Sequence, residues 1–287
     1  MDTQIAGGCD GRYEGPELPL FLYGTAWKEE RTRAATLQAL AVGFRGIDTA
    51  NQRRHYHEAE VGAAIGEAIQ AGRLRRSDLF LQTKFTFRAG QDHRLPYDPA
   101  VPIADQVRQS FGSSLQHLGV TTLDSYVLHG PSQRFGLGAS DWEAWHAMER
   151  LHGEGRVGQL GVSNVTFDQL RQLSTSAKIQ PRFVQNRCFA VQRWDADVRR
   201  LCKERGIIYQ GFSLLTANQE YLSSAPIASL ASKYQRTPAQ IFFRFALDAG
   251  IWPLTGSTSR EHLREDLSIA DFRLSESEFE LVERIAV

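Results

Sequence analysis

The sequence predicts a closed (β/α)8 TIM barrel, an α/β fold, and three observations carry that expectation. Short apolar runs alternate with helix-period segments along almost all of the 287 residues, which argues for a parallel sheet. The alternation occurs eight times, and eight such units suit a closed barrel of ~250 residues. No Gly-x-Gly-x-x-Gly follows the first strand, so the fingerprint expected of the alternative, an open doubly wound sheet, is missing.

The elements follow in order. "PLFLYGTA" (19–26) reads as a strand and "ERTRAATLQALAVG" (30–43) as a helix closed by Gly43. "RGIDT" (45–49) is the second strand. In "EVGAAIGEAIQAG" (60–72), Val61, Ala64, Ile65, Ala68 and Ile69 share one face, the spacing of a core-facing helix. "LFLQTK" (79–84) precedes a long helix, "AVPIADQVRQSFGSSLQHLG" (100–119), stopped by Gly119. "LDSYVLHG" (123–130) precedes the helix 141–155, and "VGQLGVSN" (157–164) the helix 167–177. "RFVQNR" (182–187) precedes the helix 196–206, and "IIYQGFS" (207–213) the helix 237–250. "IWPLTG" (251–256) is the eighth strand, followed by the helix 260–269 and the helix-like "SESEFELVERIAV".

Lys plus Arg and Asp plus Glu number 33 each, so the net charge offers no footing for nucleic acid or an anionic membrane, and any anion site must be local. Cys9, Cys188 and Cys202 form no CxxC pair or zinc spacing and read as free thiols in a reducing compartment. "MDTQIAGGCDGRYEG" has neither the positive start nor the apolar run of a signal peptide. No apolar stretch approaches the ~20 residues of a membrane span. A cytoplasmic protein is expected, with one barrel domain over 1–287 and a loose N-terminal segment over 1–17.

A barrel places its chemistry at the C-terminal ends of its strands. Asp48 ends strand two, Lys84 strand three and His129 strand four. Ser163 and Asn164 end strand five, and Gln185 and Asn186 lie late in strand six. Phe212 and Ser213 end strand seven, and Gly256 and Ser257 strand eight. Singly, such residues are ordinarily loop contacts, helix caps or satisfied core groups. Together they meet at one rim. An Asp, a Lys, a His and a nearby Tyr suggest a tuned phenol. Tyrosine ordinarily titrates at about 10, and a neighbouring ammonium favours the phenolate and lowers that value. The aspartate holds the lysine, and the histidine orients the oxygen of a carbonyl that receives hydride on its carbon.

These residues resemble the aldo-keto reductase family over roughly residues 20–286. The likeness rests on "GFRGIDTA…EAEVG" (43–62), "TK" (83–84), "LDSYVLHGP" (123–131) and "GRVGQLGVSN" (155–164). It continues in "PRFVQN" (181–186), "GFSLL" (211–215) and "GSTSREHLRED" (256–266). The resemblance implies a (β/α)8 barrel that binds a nicotinamide cofactor without a Rossmann fold and interconverts small carbonyls and alcohols. It matches Asp48, Lys84 and His129 to the family's catalytic Asp, Lys and His. It assigns Ser163, Asn164 and Gln185 to the nicotinamide carboxamide and Phe212 to stacking on the ring. Ser213 and Leu215 match positions along the pyrophosphate, and Ser257, Glu265 and Asp266 lie in the segment that holds the adenosine end. No metal is implied.

Two positions depart from the family pattern. Its tyrosine stands five residues after the aspartate, where this chain has Arg53. The interval to Val61-Gly62 is two residues longer than usual; counting back from Val61 puts His55 in the tyrosine slot and Tyr56 one further. Tyr56 is the expected general acid, with His55 as rival and His57 as the weaker one. Members that prefer NADPH carry Lys before the strand-eight serine and Arg six residues after that Lys; here these are Gly256 and His262. Arg260 or Arg264, at the start of the last barrel helix, are candidate replacements. The resemblance favours NADP as cofactor, with NAD as the alternative. Trp27 is a candidate pocket wall; Trp142 and Trp145 are helix-core or pocket residues. Many members continue into a tail loop over the substrate; this chain ends at Val287, so an open pocket is expected.

Three readings compete. A carbonyl reductase leads. A non-catalytic cofactor-binding protein on the same barrel is kept alive by the displaced tyrosine. A metal-dependent hydrolase would use Asp48, His55, His57 and His129, whose spacing fits no zinc motif.

Overall fold

The computed structural model describes residues 18–286. The segment 1–17, expected to be loose, and Cys9 lie outside the described residues. The eight strands are β1 (Leu22–Gly24), β2 (Gly46–Asp48), β3 (Phe80–Phe85), β4 (Leu123–Leu128), β5 (Val157–Ser163), β6 (Phe183–Arg187), β7 (Ile208–Phe212) and β8 (Ile251–Thr255). They pair in parallel in sequence order, and β8 closes on β1, making the (β/α)8 barrel that the alternation predicts.

The helices are α1 (Thr32–Val42), α2 (Glu58–Gln70), α3 (Ile103–Leu118), α4 (Ala139–Gly153), α5 (Phe167–Ser176) and α6 (Ala196–Arg205). After β7 come α7 (Gln219–Leu222), α8 (Ala225–Tyr234) and α9 (Pro238–Asp248). After β8 come α10 (Arg260–Leu267) and α11 (Glu276–Glu283). The sequence reading passed over α7 and α8. Ser224 at the N-cap of α8 with Pro226 in its first turn was the available start signal.

Period-two alternation sorts each strand into an inward and an outward set. Phe80 of β3, Phe183 of β6 and Trp252 of β8 fill the barrel floor, with ring centroids 5.1 to 5.8 Å apart. Two residues up, Gln82 of β3 stands above Phe80, and two further stands Lys84, at the rim. The outward set packs against the helices, where Val61, Ile65 and Ala68 of α2 are buried as their spacing predicts. Gly62 is required there. A Cβ on it would lie 1.9 Å from the His117 carbonyl oxygen, so α2 and α3 approach closer than any side chain permits. Gly119 ends α3 in the left-handed conformation, with φ of 66°.

Candidate active site

The register that aligns Asp48 with Gln82 brings a carboxylate over the barrel interior, beside Lys84 two residues along β3. Lys84 Nζ donates to Asp48 Oδ1 and Oδ2 at 2.7 Å each and to the Thr49 carbonyl at 2.8 Å. Asp48 Oδ1 also accepts from Gln82 Nε2 at 2.7 Å and from Gln185 Nε2 at 3.0 Å. Gln210 joins these two: its Oε1 accepts from Gln82 and Gln185, each at 2.9 Å. Ser125 donates to Gln82 Oε1 at 2.8 Å. A buried ion pair is stable only when its remaining hydrogen-bonding capacity is met, and this glutamine layer meets it. Gln82 and Gln210 were missed in the sequence, although the inward phase of β3 from Lys84 points to Gln82.

The two extra residues after β2 are absorbed in a single turn. Tyr56 N–H donates to the Gln52 carbonyl at 3.0 Å, while Gln52 is pinned to the Gly90 carbonyl at 2.6 Å and Asn51 to the Ser110 carbonyl at 2.9 Å. The turn directs Tyr56 inward. Its ring lies 5.3 Å from Lys84 Nζ and meets the His129 ring edge-on, with centroids 5.9 Å apart. His55 turns outward and stacks on Trp27 at 3.8 Å between centroids. The Trp27 N–H donates to the His55 carbonyl at 2.7 Å, so both belong to one wall beside the mouth. His57 precedes α2 and lines a separate hollow with Glu58 and His117.

Burial pushes the Tyr56 phenol above its usual range, and the Asp48 charge adds to the rise. The expectation of a phenol lowered by lysine is therefore not met in the free protein. All three Lys84 donors serve Asp48 and Thr49, and the pair is neutral as a unit. Burial likewise pushes the Lys84 ammonium down, against the pull of Asp48. Burial, with Lys84 adding to it, pushes His129 down to about 3, so its imidazole is neutral at ordinary pH. His129 Nδ1 is hydrogen-bonded to Thr86 Oγ1 at 2.6 Å. With that hydroxyl as donor, the ring proton sits on Nε2.

A cavity of about 540 Å³ runs from this point across the rim. Asp48, Tyr56, His129, Ser163, Asn164, Gln185, Phe212, Ser213, Leu215 and Ser257 all line it, together with Trp27 and His55. Ser163 Oγ donates to the Gln185 carbonyl at 2.6 Å. Asn164 donates to the His129 carbonyl at 2.8 Å and to Ser163 Oγ at 3.1 Å, which leaves its Oδ1 as an acceptor. Gln185 uses both N–H groups on Asp48 and Gln210, which leaves its Oε1 as an acceptor.

The remaining named residues lie at or beyond the edge of this cavity. Glu265 and Arg264 line an outer groove with Gln240 and Ser268 rather than the cavity. Asp266 is buried, its Oδ2 has no partner, and burial raises its carboxyl to about 7. Trp145 is buried in the outer core with its indole N–H on the Ile179 carbonyl, and Trp142 packs against that core. His262 lines the cavity, whereas Arg260 does not. Asn186 faces outward and braces Val165 and Asp195. Cys188 and Cys202 are buried free thiols. Among the described residues no group of three or more His, Cys, Asp and Glu is arranged to hold a metal ion, and Asp48, needed by the hydrolase reading, is committed to an ammonium. No helix among them is long and apolar enough to cross a membrane.

A parallel barrel whose rim gathers a phenol, a neutral imidazole and a buried ion pair along one cleft has the build of an oxidoreductase. The Aldo/keto reductase family model matches residues 21–287, and the chain belongs to that family. It is 31% identical to the uncharacterized oxidoreductase YtbE of Bacillus subtilis (strain 168), over 95% of this chain and 91% of that one. It is 30% identical to the NAD/NADP-dependent indole-3-acetaldehyde reductase of Schizosaccharomyces pombe, over 93% and 91% of the two chains. Among solved structures it resembles MGS-M4, an aldo-keto reductase from a Medee basin deep-sea metagenome library. The TM-score is 0.79 and the identity 27%, covering 93% of this chain and 90% of that one.

Proposed function

We propose that the protein reduces small aldehydes or ketones to alcohols with a nicotinamide cofactor, with Tyr56 as the general acid. The observation that carries this reading is the position of the Tyr56 ring, in the cavity beside both Lys84 and His129. The cofactor is NADP(H), with NAD(H) as second choice; the Schizosaccharomyces pombe relative is named for both. The residues fit such a group, because Asn164 Oδ1 and Gln185 Oε1 are free acceptors suited to a carboxamide NH2.

When bound, the cofactor supplies the hydride. The protein does the rest. Phe212, at the end of β7, offers a flat apolar wall to an aromatic ring. His129, neutral and held by Thr86, donates from Nε2 to the substrate oxygen and fixes its direction. Tyr56 gives its proton to that oxygen as it becomes an alkoxide. An alkoxide is a stronger base than a phenolate, so the transfer runs downhill even from a buried phenol. Lys84, fixed by Asp48, places positive charge beside the phenolate that forms. Trp27 and His55 form the substrate wall.

Parallel fluorescence titrations with NADPH and NADH, followed by turnover of 4-nitrobenzaldehyde, test the reading. Tyr56→Phe is expected to remove turnover and leave cofactor affinity intact, while His55→Ala retains turnover. Full activity in Tyr56→Phe, or no saturable binding of either cofactor, overturns it.

A further inference from the structure

The turn that carries Tyr56 also brings two arginines to the mouth of the barrel. Beside the reaction cavity lies a second hollow of about 200 Å³. Trp27, His55 and Tyr56 line both spaces, so the Trp27–His55 stack is a wall with a pocket on each side. Trp27 is 68% exposed, which makes its edge the open rim of that wall and not a closed barrier. The far side of the hollow is made by Arg53 and Arg54, by Arg94 from the segment between β3 and α3, and by Glu29 and Glu30 from the turn Glu29–Arg31 before α1.

Most of these charges have a role in the fold. Arg94 is paired with Asp92 and donates to the Arg53 carbonyl at 3.2 Å, which ties the two segments together. Glu29 and Glu30 are exposed and stand at the entry to a helix, where carboxylates are favoured. Arg53 is half-buried, and its guanidinium makes one long hydrogen bond, 3.5 Å to the Tyr56 carbonyl. Arg54 makes no side-chain hydrogen bond or ion pair among the described residues, and no ion pair joins either glutamate to an arginine across the hollow. Two guanidinium groups therefore stand uncommitted next to the phenol. The Arg54 charge reaches the shared wall: burial first, and Arg54 with it, push the His55 imidazole below its usual range.

A guanidinium presents paired N–H donors in one plane, the match for a carboxylate. We propose that Arg53 and Arg54 hold a carboxylate on the substrate, so that the carbonyl compounds this protein reduces are oxo acids. The proposal rests on the carbonyl-reductase reading above and names its substrate class. The reacting carbonyl lies against Tyr56 and His129 in the cavity, and the acid end crosses the Trp27 edge into the hollow. The carboxylate takes no part in the proton or hydride transfer; it selects which aldehyde or ketone enters.

The test measures kcat/KM for 3- and 4-formylbenzoate against the matching formylbenzamides, which keep the shape and lose the charge. Wild type is expected to prefer the better-fitting acid over its amide by about tenfold, through KM, as one charge-assisted contact provides. That ratio should fall toward one in Arg53→Gln/Arg54→Gln and recover in part in the Arg→Lys pair. It should shrink in 0.5 M NaCl and rise in Glu29→Gln/Glu30→Gln, where the opposing charges are gone. Because Arg53 touches the Tyr56 turn, Arg54→Gln is measured alone as well; it removes no contact of the fold and should lower the ratio by itself. Equal kcat/KM for acids and amides in wild type overturns the proposal. So does an acid preference that survives in every arginine variant, which would place the carboxylate elsewhere. Wild type that turns over none of the four carbonyls with NADPH or NADH sinks the reductase reading itself, and this proposal with it.

Discussion

Lys84 and Asp48 face each other under the barrel rim with every ammonium donor engaged, two on the carboxylate at 2.7 Å and one on the Thr49 carbonyl at 2.8 Å. Lys84 therefore acts on Tyr56 through space, across 5.3 Å to the ring centre. Removing Asp48 would leave the ammonium buried and uncompensated. Asp48→Ala is expected to cost about 3–5 kcal/mol in urea denaturation. Asp48→Ala/Lys84→Met should recover most of it; equal losses in the single and double variants would show that the two residues are not coupled.

Turnover should be insensitive to pH across a wide range. His129, down at about 3, is neutral above that value, and Tyr56, raised by burial, keeps its proton well into the alkaline range. Reductive kcat at saturating cofactor should therefore be flat from about pH 5 to 9. A kcat that rises or falls steeply inside that range would contradict these two shifts.

Asp266 predicts a stabilising substitution. Below the ordinary 3.8 the carboxyl is protonated in both folded and unfolded chains. Between there and about 7 the unfolded chain releases its proton while the folded one retains it, so stability declines as pH rises across that window. A shift of this size corresponds to at most ~4 kcal/mol. Asp266→Asn should therefore raise stability by roughly 1–3 kcal/mol at pH 8 and leave it unchanged at pH 4. Chemical denaturation at the two pH values measures the difference, and an equal effect at both would contradict it.

Gly62 links packing to the site. A Cβ there would sit 1.9 Å from the His117 carbonyl oxygen and 2.7 Å from Leu118 Cα, so Gly62→Ala must push α2 off α3. Overpacking of this kind costs roughly 1–3 kcal/mol. Because α2 begins two residues after Tyr56, turnover should fall more than cofactor affinity. A fully active, fully stable Gly62→Ala would contradict the close approach.

Much of the molecule was legible in the chain. Apolar runs and helical spacing have local causes, so the order of strands and helices could be read, and with it the polar residues that end strands at one rim. Asp48, Lys84, His129, Ser163, Asn164 and Gln185 were picked out that way; five of them line the cavity, and Lys84 lies beneath it, paired with Asp48. The short α7 and α8 were passed over because Ser-Ser-Ala-Pro reads first as a break, although it also starts a helix. Gln82 and Gln210 were missed because one glutamine in an apolar strand carries no local signal; their meaning lies in reaching each other across the barrel.

The sequence by itself determined the barrel and the strands that carry its chemistry, because both follow from residue periodicity. Only the tertiary structure decided which ring of "HYH" turns inward, since that depends on a turn closed by Gln52 and anchored to Gly90. It alone decided the direction in which the phenol shifts, because that is a sum over burial and charges from several strands. It alone brought Lys28 to Gly256, which lies 228 positions away in the chain. Local interactions choose the elements; long-range contacts choose which polar group faces which, and the chemistry depends on that second choice.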